Sequence, residues 1–175
     1  MIMNRVNLDA FNSTIDQAKK DRKKAKLTIS MEDEWLINGT GAQCSAKLPT
    51  EKGGDFLVES DEPLFLGGGG TVPNPAQYWI YGMTACLAAA YAKTAALEGI
   101  KLNSFKIKVA VDLDLSASLG IAPDPIITGI RWDLVVDSEA GKDALERVLD
   151  IAKGRCPAFY AITHPTSPKA TVAKI

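Results

Sequence analysis

A chain of 175 residues can bury one sizeable core and is short for two domains. Hydrophobic residues make up 46% and charged residues 23%, the balance of an ordinary globular protein. Twenty basic against twenty-one acidic residues exclude a global field that would recruit nucleic acid or an anionic membrane. Three widely spaced cysteines make no disulfide framework, and no basic stretch leading into an apolar core opens the chain. The expected location is the cytoplasm, where thiols stay reduced.

Leu8, Phe11, Ile15 and Ala18 recur at helical spacing, which predicts a surface helix from Leu8 to about Ala25. It ends in "KKDRKKAK" (Lys19–Lys26). Cations gathered at a helix C-terminus suit the macrodipole, and the balanced overall charge favours that reading over a nucleic-acid patch. From Lys26 to Glu59, "KLTIS", "QCSAKL" and "FLVE" are split by "NGTG" and "EKGGD", the signature of a meander of short strands.

The stretch "LGGGGTVPNPAQYWIYGMTACLAAAY" (Leu66–Tyr91) admits three readings. A phosphate cradle would need a lysine and a hydroxyl after the last glycine, but Gly70 is followed by Thr71, Val72 and Pro73. Asn74 and Pro75 instead supply an N-cap and a first helical residue, so the helix starts after the glycines and runs to about Leu97. A membrane span is the second reading. The uncharged run from Ala76 to Ala92 is short for one, and it is thinned by Gly82 and six alanines. The third is a buried core helix presenting the thiol of Cys86 beside the small residues Gly82, Ala89 and Ala90.

Phe105, Ile107, Val109, Val111, Leu113 and Leu115 alternate with polar or small residues, and Ile130, Trp132, Leu134 and Val136 repeat the pattern after a loop. These predict two half-buried strands pairing antiparallel. Ser138 can cap a helix running to about Lys153, buried along Leu145, Val148, Leu149 and Ala152. "ATVAKI" (170–175) reads as a closing strand. Antiparallel strands with helices predict an α+β fold in a single domain spanning 1–175, with residues 1–25 as an extra N-terminal helix.

Taken alone, Cys86 reads more readily as an inert small hydrophobe than as a reactive group. In "GRCPAFYAI", Cys156 precedes Pro157, which predicts either an N-cap whose sulfur faces free backbone N–H groups that favour thiolate or a buried turn cysteine. Cys44 lies in an early strand, where packing is the expected role. Cys44, Cys86, Cys156 and the single histidine, His164, lack the local Cys pair of most structural zinc sites, so no metal is expected.

From about Asp61 onward the chain resembles the OsmC/Ohr family of organic hydroperoxide reductases. The resemblance is carried by "DEPLFLGGGGTVPNPAQYWIYGMTAC", "DLDLSASLGIAPDPIITGIRWDLVV" and "AKGRCPAFYAIT", in that order. It implies an OsmC-like α+β fold, an antiparallel sheet packed on a long central apolar helix, in an intertwined homodimer. It implies a cytoplasmic, cofactor-free peroxidase acting on organic hydroperoxides, with Cys86 peroxidatic and Cys156 resolving, recycled by a dithiol such as a lipoyl group. The chain departs from the family at two points. Ala76 stands where active members usually carry glutamate, and "INGTGAQCSAKLP" offers Lys47 but no arginine. A second reading therefore stays open: a module binding an apolar ligand beside Tyr78, Trp79 and Met83, with weak or no peroxidase activity.

Overall fold

Asn4 and Arg5 both take positive φ, 51° and 63°, and turn the chain back so that Ile2–Met3 (β1) and Val6–Asn7 (β2) pair antiparallel. The computed structural model describes residues 1–164 and 166–174. Two compact units are present. One joins Met1–Asn12 to the chain from Gly82 onward, and the other is Ser13–Tyr81.

In the first unit, the Asn4 side chain donates to the Ile100 carbonyl (2.8 Å) and accepts from the Leu102 N–H (2.9 Å). The N-terminal turn is thereby tied to the segment that follows the long helix. That helix, Pro75–Leu97 (α2), crosses the division between the units. Its start is the predicted one, and a reciprocal capping box fixes it. Asn74 Oδ1 accepts from the Gln77 N–H and Gln77 Oε1 accepts from the Asn74 N–H, both at 2.9 Å. Its end is set by Gly99 at φ 72°, where Gly99 and Ile100 donate to the Ala96 and Ala95 carbonyls in a Schellman motif. No helix of the described residues is long and apolar enough to cross a membrane.

The predicted strands are Ser104–Leu113 (β6) and Ile127–Asp137 (β7), antiparallel with Phe105 opposite Val136, Ile107 opposite Leu134 and Val109 opposite Trp132. Their inward side chains pack on Leu87, Ala90, Tyr91 and Ala95 of α2, and on Val148 and Ala152 of Lys142–Gly154 (α3). Burying Leu87 and Val148 stabilises the unit by about 1.5–3 kcal/mol each. Tyr91 stacks on Phe105 at 4.7 Å, and its hydroxyl donates to the Leu145 carbonyl. A last helix, Pro157–Thr163 (α4), follows α3 closely.

In the second unit, Asp33–Trp35 (β3), Cys44–Pro49 (β4) and Asp55–Ser60 (β5) form an antiparallel sheet in the order β3-β4-β5. The strands at "QCSAKL" and "FLVE" are as expected. "KLTIS" is not a strand: Leu27 and Ile29 are exposed and no strand among the described residues pairs with them, while the charged "DEW" pairs with β4 instead. The first helix, Leu8–Lys20 (α1), stops before Ala25 because Asp21 accepts from the Lys23 N–H and caps a separate 3₁₀ turn, Arg22–Ala25. Two further expectations are corrected. Ser138 does not cap α3; Gly141 holds that position, and the Ser138 hydroxyl bonds the Lys101 carbonyl and the Ala140 N–H. Residues 170–174 of "ATVAKI" form no strand, and residue 175 lies outside the described residues.

The glycine run is latched by Asp61, whose side chain is buried. Its carboxylate accepts from the Gly69 N–H (3.2 Å), the Thr71 N–H (2.9 Å) and the Thr71 hydroxyl (2.9 Å). The Thr71 N–H, above all, holds this carboxyl below the usual carboxylate range, against the opposing effect of burial. A lowered folded pKa gives stability that is present above the unfolded pKa and lost as pH falls through the folded one. Asp61→Asn is therefore expected to lower the thermal midpoint at neutral pH and to flatten its fall on acidification. A parallel acid profile in variant and wild type would contradict this.

Candidate active site

Two sulfurs separated by 70 residues of chain meet in the core of the first unit. Cys86 lies near the middle of α2 and is half-buried, while Cys156, between α3 and α4, is 1% exposed. Their Sγ atoms are 3.5 Å apart and unbridged.

Local sequence explains how Cys156 is held. Arg155 ends α3, and Pro157, with no N–H to satisfy, opens α4 with Cys156 as its N-cap. The Cys156 Sγ accepts from the Phe159 N–H at 3.4 Å, the N-cap to N3 bond that a serine or aspartate would ordinarily make. Phe159 then turns its ring onto Trp132 of β7, with centroids 5.6 Å apart.

The expectation that this N-cap favours thiolate is not met at Cys156. Burial pushes its thiol up, the Phe159 N–H only partly offsets that, and the hydrogen bond to Cys86 raises it further. Cys156 is accordingly the donor, its S–H directed to the Cys86 sulfur. This arrangement favours a proton on Cys156. The sign has a consequence for stability. A folded thiol pKa above the unfolded value gives stability that is complete below the unfolded pKa and is lost as pH rises toward the folded one. The reduced protein is expected to lose urea resistance from about pH 8.5 upward, and Cys156→Ala to lose less over the same range. Identical slopes for the two proteins would rule this out.

The remaining candidates lie elsewhere. Cys44 is half-buried in β4 of the second unit, in register with Trp35 and Ser60. His164 caps the end of α4 and stacks its exposed ring on Tyr160 at 4.1 Å. Among the described residues no cluster of three His, Cys, Asp or Glu side chains could hold a metal ion. Ala76 occupies the first turn of α2, Lys47 is exposed on β4, and Tyr78, Trp79 and Met83 follow along α2. The sequence reading did not single out Phe159 or Trp132. The signals were present: Phe159 stands at the N3 position that an N-cap bonds, and Trp132 at an inward position of an alternating strand.

An OsmC-like protein family model matches residues 68–170. Among solved structures, an OsmC-like protein from Mycoplasma pneumoniae is similar at 15% identity and a TM-score of 0.59, covering 80% of this chain and 90% of its own. An organic hydroperoxide resistance protein, OsmC, from Legionella pneumophila is similar at 21% identity and 0.58, covering 79% and 93%. An OsmC-like protein of unknown function from Vibrio cholerae reaches 0.57 at 12% identity, covering 78% and 94%. At such identities the likeness speaks for the fold. No curated protein matches the sequence.

Proposed function

From the premise that this chain belongs to the family of OsmC-like proteins, we propose that it is a thiol-dependent peroxidase of organic hydroperoxides, with Cys86 as the attacking thiol and Cys156 as the resolving one. The observation that carries this reading is the dithiol itself: two sulfurs 3.5 Å apart, the buried one donating its proton toward the other. The Cys86 thiolate attacks the terminal peroxide oxygen, so the S–O bond forms as the O–O bond breaks and the alcohol leaves. The Cys156 sulfur then attacks the sulfenic acid, forming the disulfide and releasing water. A dithiol of lipoyl type restores both thiols by exchange and leaves as its own disulfide. The apolar surroundings of the pair (Leu87, Phe159 and Trp132) favour an alkyl hydroperoxide over hydrogen peroxide.

The working protein is proposed to be a cytoplasmic homodimer. Leu113, Leu119, Ile121, Ile126 and Ile127, at one end of the strand pair, are 43–74% exposed in a single copy, an apolar surface suited to a second copy. The test is consumption of cumene hydroperoxide by the purified protein with dihydrolipoamide as donor. Turnover, with one disulfide formed per cycle, is expected. No consumption would instead favour the second reading, a module that binds an apolar ligand, whose motivating observation is Ala76 in place of a carboxylate at the start of α2.

A further inference from the structure

The charges of the chain nearly cancel, but they are unevenly spread. Lys19, Lys20, Arg22, Lys23, Lys24 and Lys26 place six cations in eight residues, with Asp21 the one carboxylate among them. A helix macrodipole attracts cations only within its last turn. Because α1 stops at Lys20, it accounts for Lys19 and Lys20 and leaves the other four beyond its reach, on and just after the 3₁₀ turn Arg22–Ala25.

Ion pairing does not account for them either. Among the described residues, the one carboxylate paired with any of the six is Asp16, 3.7 Å from Lys19, and both groups are exposed. Lys24 reaches the neutral Gln17 amide at 3.5 Å, while the Asp21 carboxylate is taken up by the Lys23 N–H. Every residue from 19 to 35 is exposed. The second unit also has a groove of about 820 Å³ here, lined by apolar Ile15, Ala18 and Ala25 together with cationic Lys19, Arg22 and Lys26.

Apolar side chains follow the cations directly. Leu27, Ile29 and Met31 stand at alternate positions and are 77%, 87% and 62% exposed. Single exposed hydrophobes are ordinary, but three in succession beside a cationic run match a partner that offers phosphates and hydrocarbon together. A nucleic acid offers phosphates and bases, and bases need rings to stack on. Between Phe11 and Trp35 the chain has no aromatic residue. The composition therefore favours a lipid surface.

We propose that residues 19–31 form a docking surface for an anionic lipid bilayer. The cations meet the lipid phosphates, and Leu27, Ile29 and Met31 enter the headgroup boundary. The attachment is peripheral, and it stands independently of the thiol chemistry proposed above.

The test is sedimentation of the full chain with vesicles of phosphatidylcholine alone or of phosphatidylcholine and phosphatidylglycerol in equal parts. Binding is expected to the mixed vesicles alone and is expected to fall as salt is raised. A cation at such a surface strengthens attachment about fivefold, so Arg22→Gln/Lys23→Gln/Lys24→Gln weakens it about 100-fold. Leu27→Ser/Ile29→Ser weakens it about tenfold or more. All five side chains are exposed, so both variants should melt with wild type. If either melts early, the wild-type comparison of the two vesicle types decides alone. Equal binding to both vesicle types, binding to neither, or unchanged binding in either well-folded variant overturns the proposal. So does a chain that ignores vesicles and binds a single-stranded oligonucleotide, which would assign the cations to nucleic acid.

Discussion

Cys86→Ser is expected to lower the rate of alkyl hydroperoxide consumption by about a thousandfold or more, because a hydroxyl at that position is neither ionised nor a comparable nucleophile. Cys156→Ser is expected to behave differently. It leaves the first reaction intact, so one equivalent of peroxide is consumed, and the sulfenic acid then persists for want of a second sulfur 3.5 Å away. Mass spectrometry after a single peroxide addition reads the difference directly. Cys156→Ser carries one added oxygen on Cys86, wild type carries a Cys86–Cys156 disulfide, and Cys86→Ser carries neither. Unchanged turnover in Cys86→Ser would sink the assigned role. A Cys156→Ser protein that still cycles with a dithiol would remove Cys156 from the mechanism. The order of roles proposed for the two cysteines rests on burial. Cys156 is 1% exposed, holds its proton and donates it toward Cys86, so the half-buried Cys86 is the sulfur placed to meet substrate.

The largest stability effect is expected in the glycine run, at Gly68→Ala. A β-carbon built on Gly68 would lie 1.9 Å from the Glu62 carbonyl oxygen, 2.5 Å from its carbon and 2.8 Å from its Cα, all backbone atoms that cannot swing aside. The segment could move only by breaking the Gly69 and Thr71 bonds to Asp61, together with the Gly68 and Gly70 N–H bonds to the Pro63 and Glu62 carbonyls. A loss of about 3 kcal/mol or more follows. Gly154→Ala, where the new methyl meets nothing within 4 Å, is the matched control and should change stability by no more than about 0.5 kcal/mol. Chemical denaturation of the two variants beside wild type is sufficient, and near-equal midpoints would refute the clash. Gly68 thus marks a close backbone crossing in a loop held by a buried carboxylate, and Gly67 and Gly70 take positive φ, 86° and 62°.

Much of the architecture was readable in the amino-acid order because its causes are local. The strict alternation from Phe105 to Leu113 and from Ile130 to Val136 can bury only one face, so two paired strands were implied before any partner was known. Asn74, Pro75 and Gln77 carry the start of α2 within four residues, and Cys156 before Pro157 carries the start of α4 in two. What failed were elements whose existence depends on a remote partner. "KLTIS" has strand composition and no strand beside it, whereas "DEW" has poor composition and is held by β4. Ser138 was a sound cap by type, but its hydroxyl is taken by the Lys101 carbonyl, 37 residues away.

The same division runs through the site. The sequence by itself determined two cysteines, each in a helical context, and the absence of an arginine in the early strands. Only the tertiary structure decided that Cys86 and Cys156 lie 3.5 Å apart, that the Phe159 N–H bonds the Cys156 sulfur while its ring meets Trp132, and that burial raises the Cys156 thiol. The physical reason is that caps and alternation act over a few residues along the chain. Sulfur–sulfur contact and desolvation depend on how α2, β7 and α4 pack, and packing brings together residues far apart in sequence.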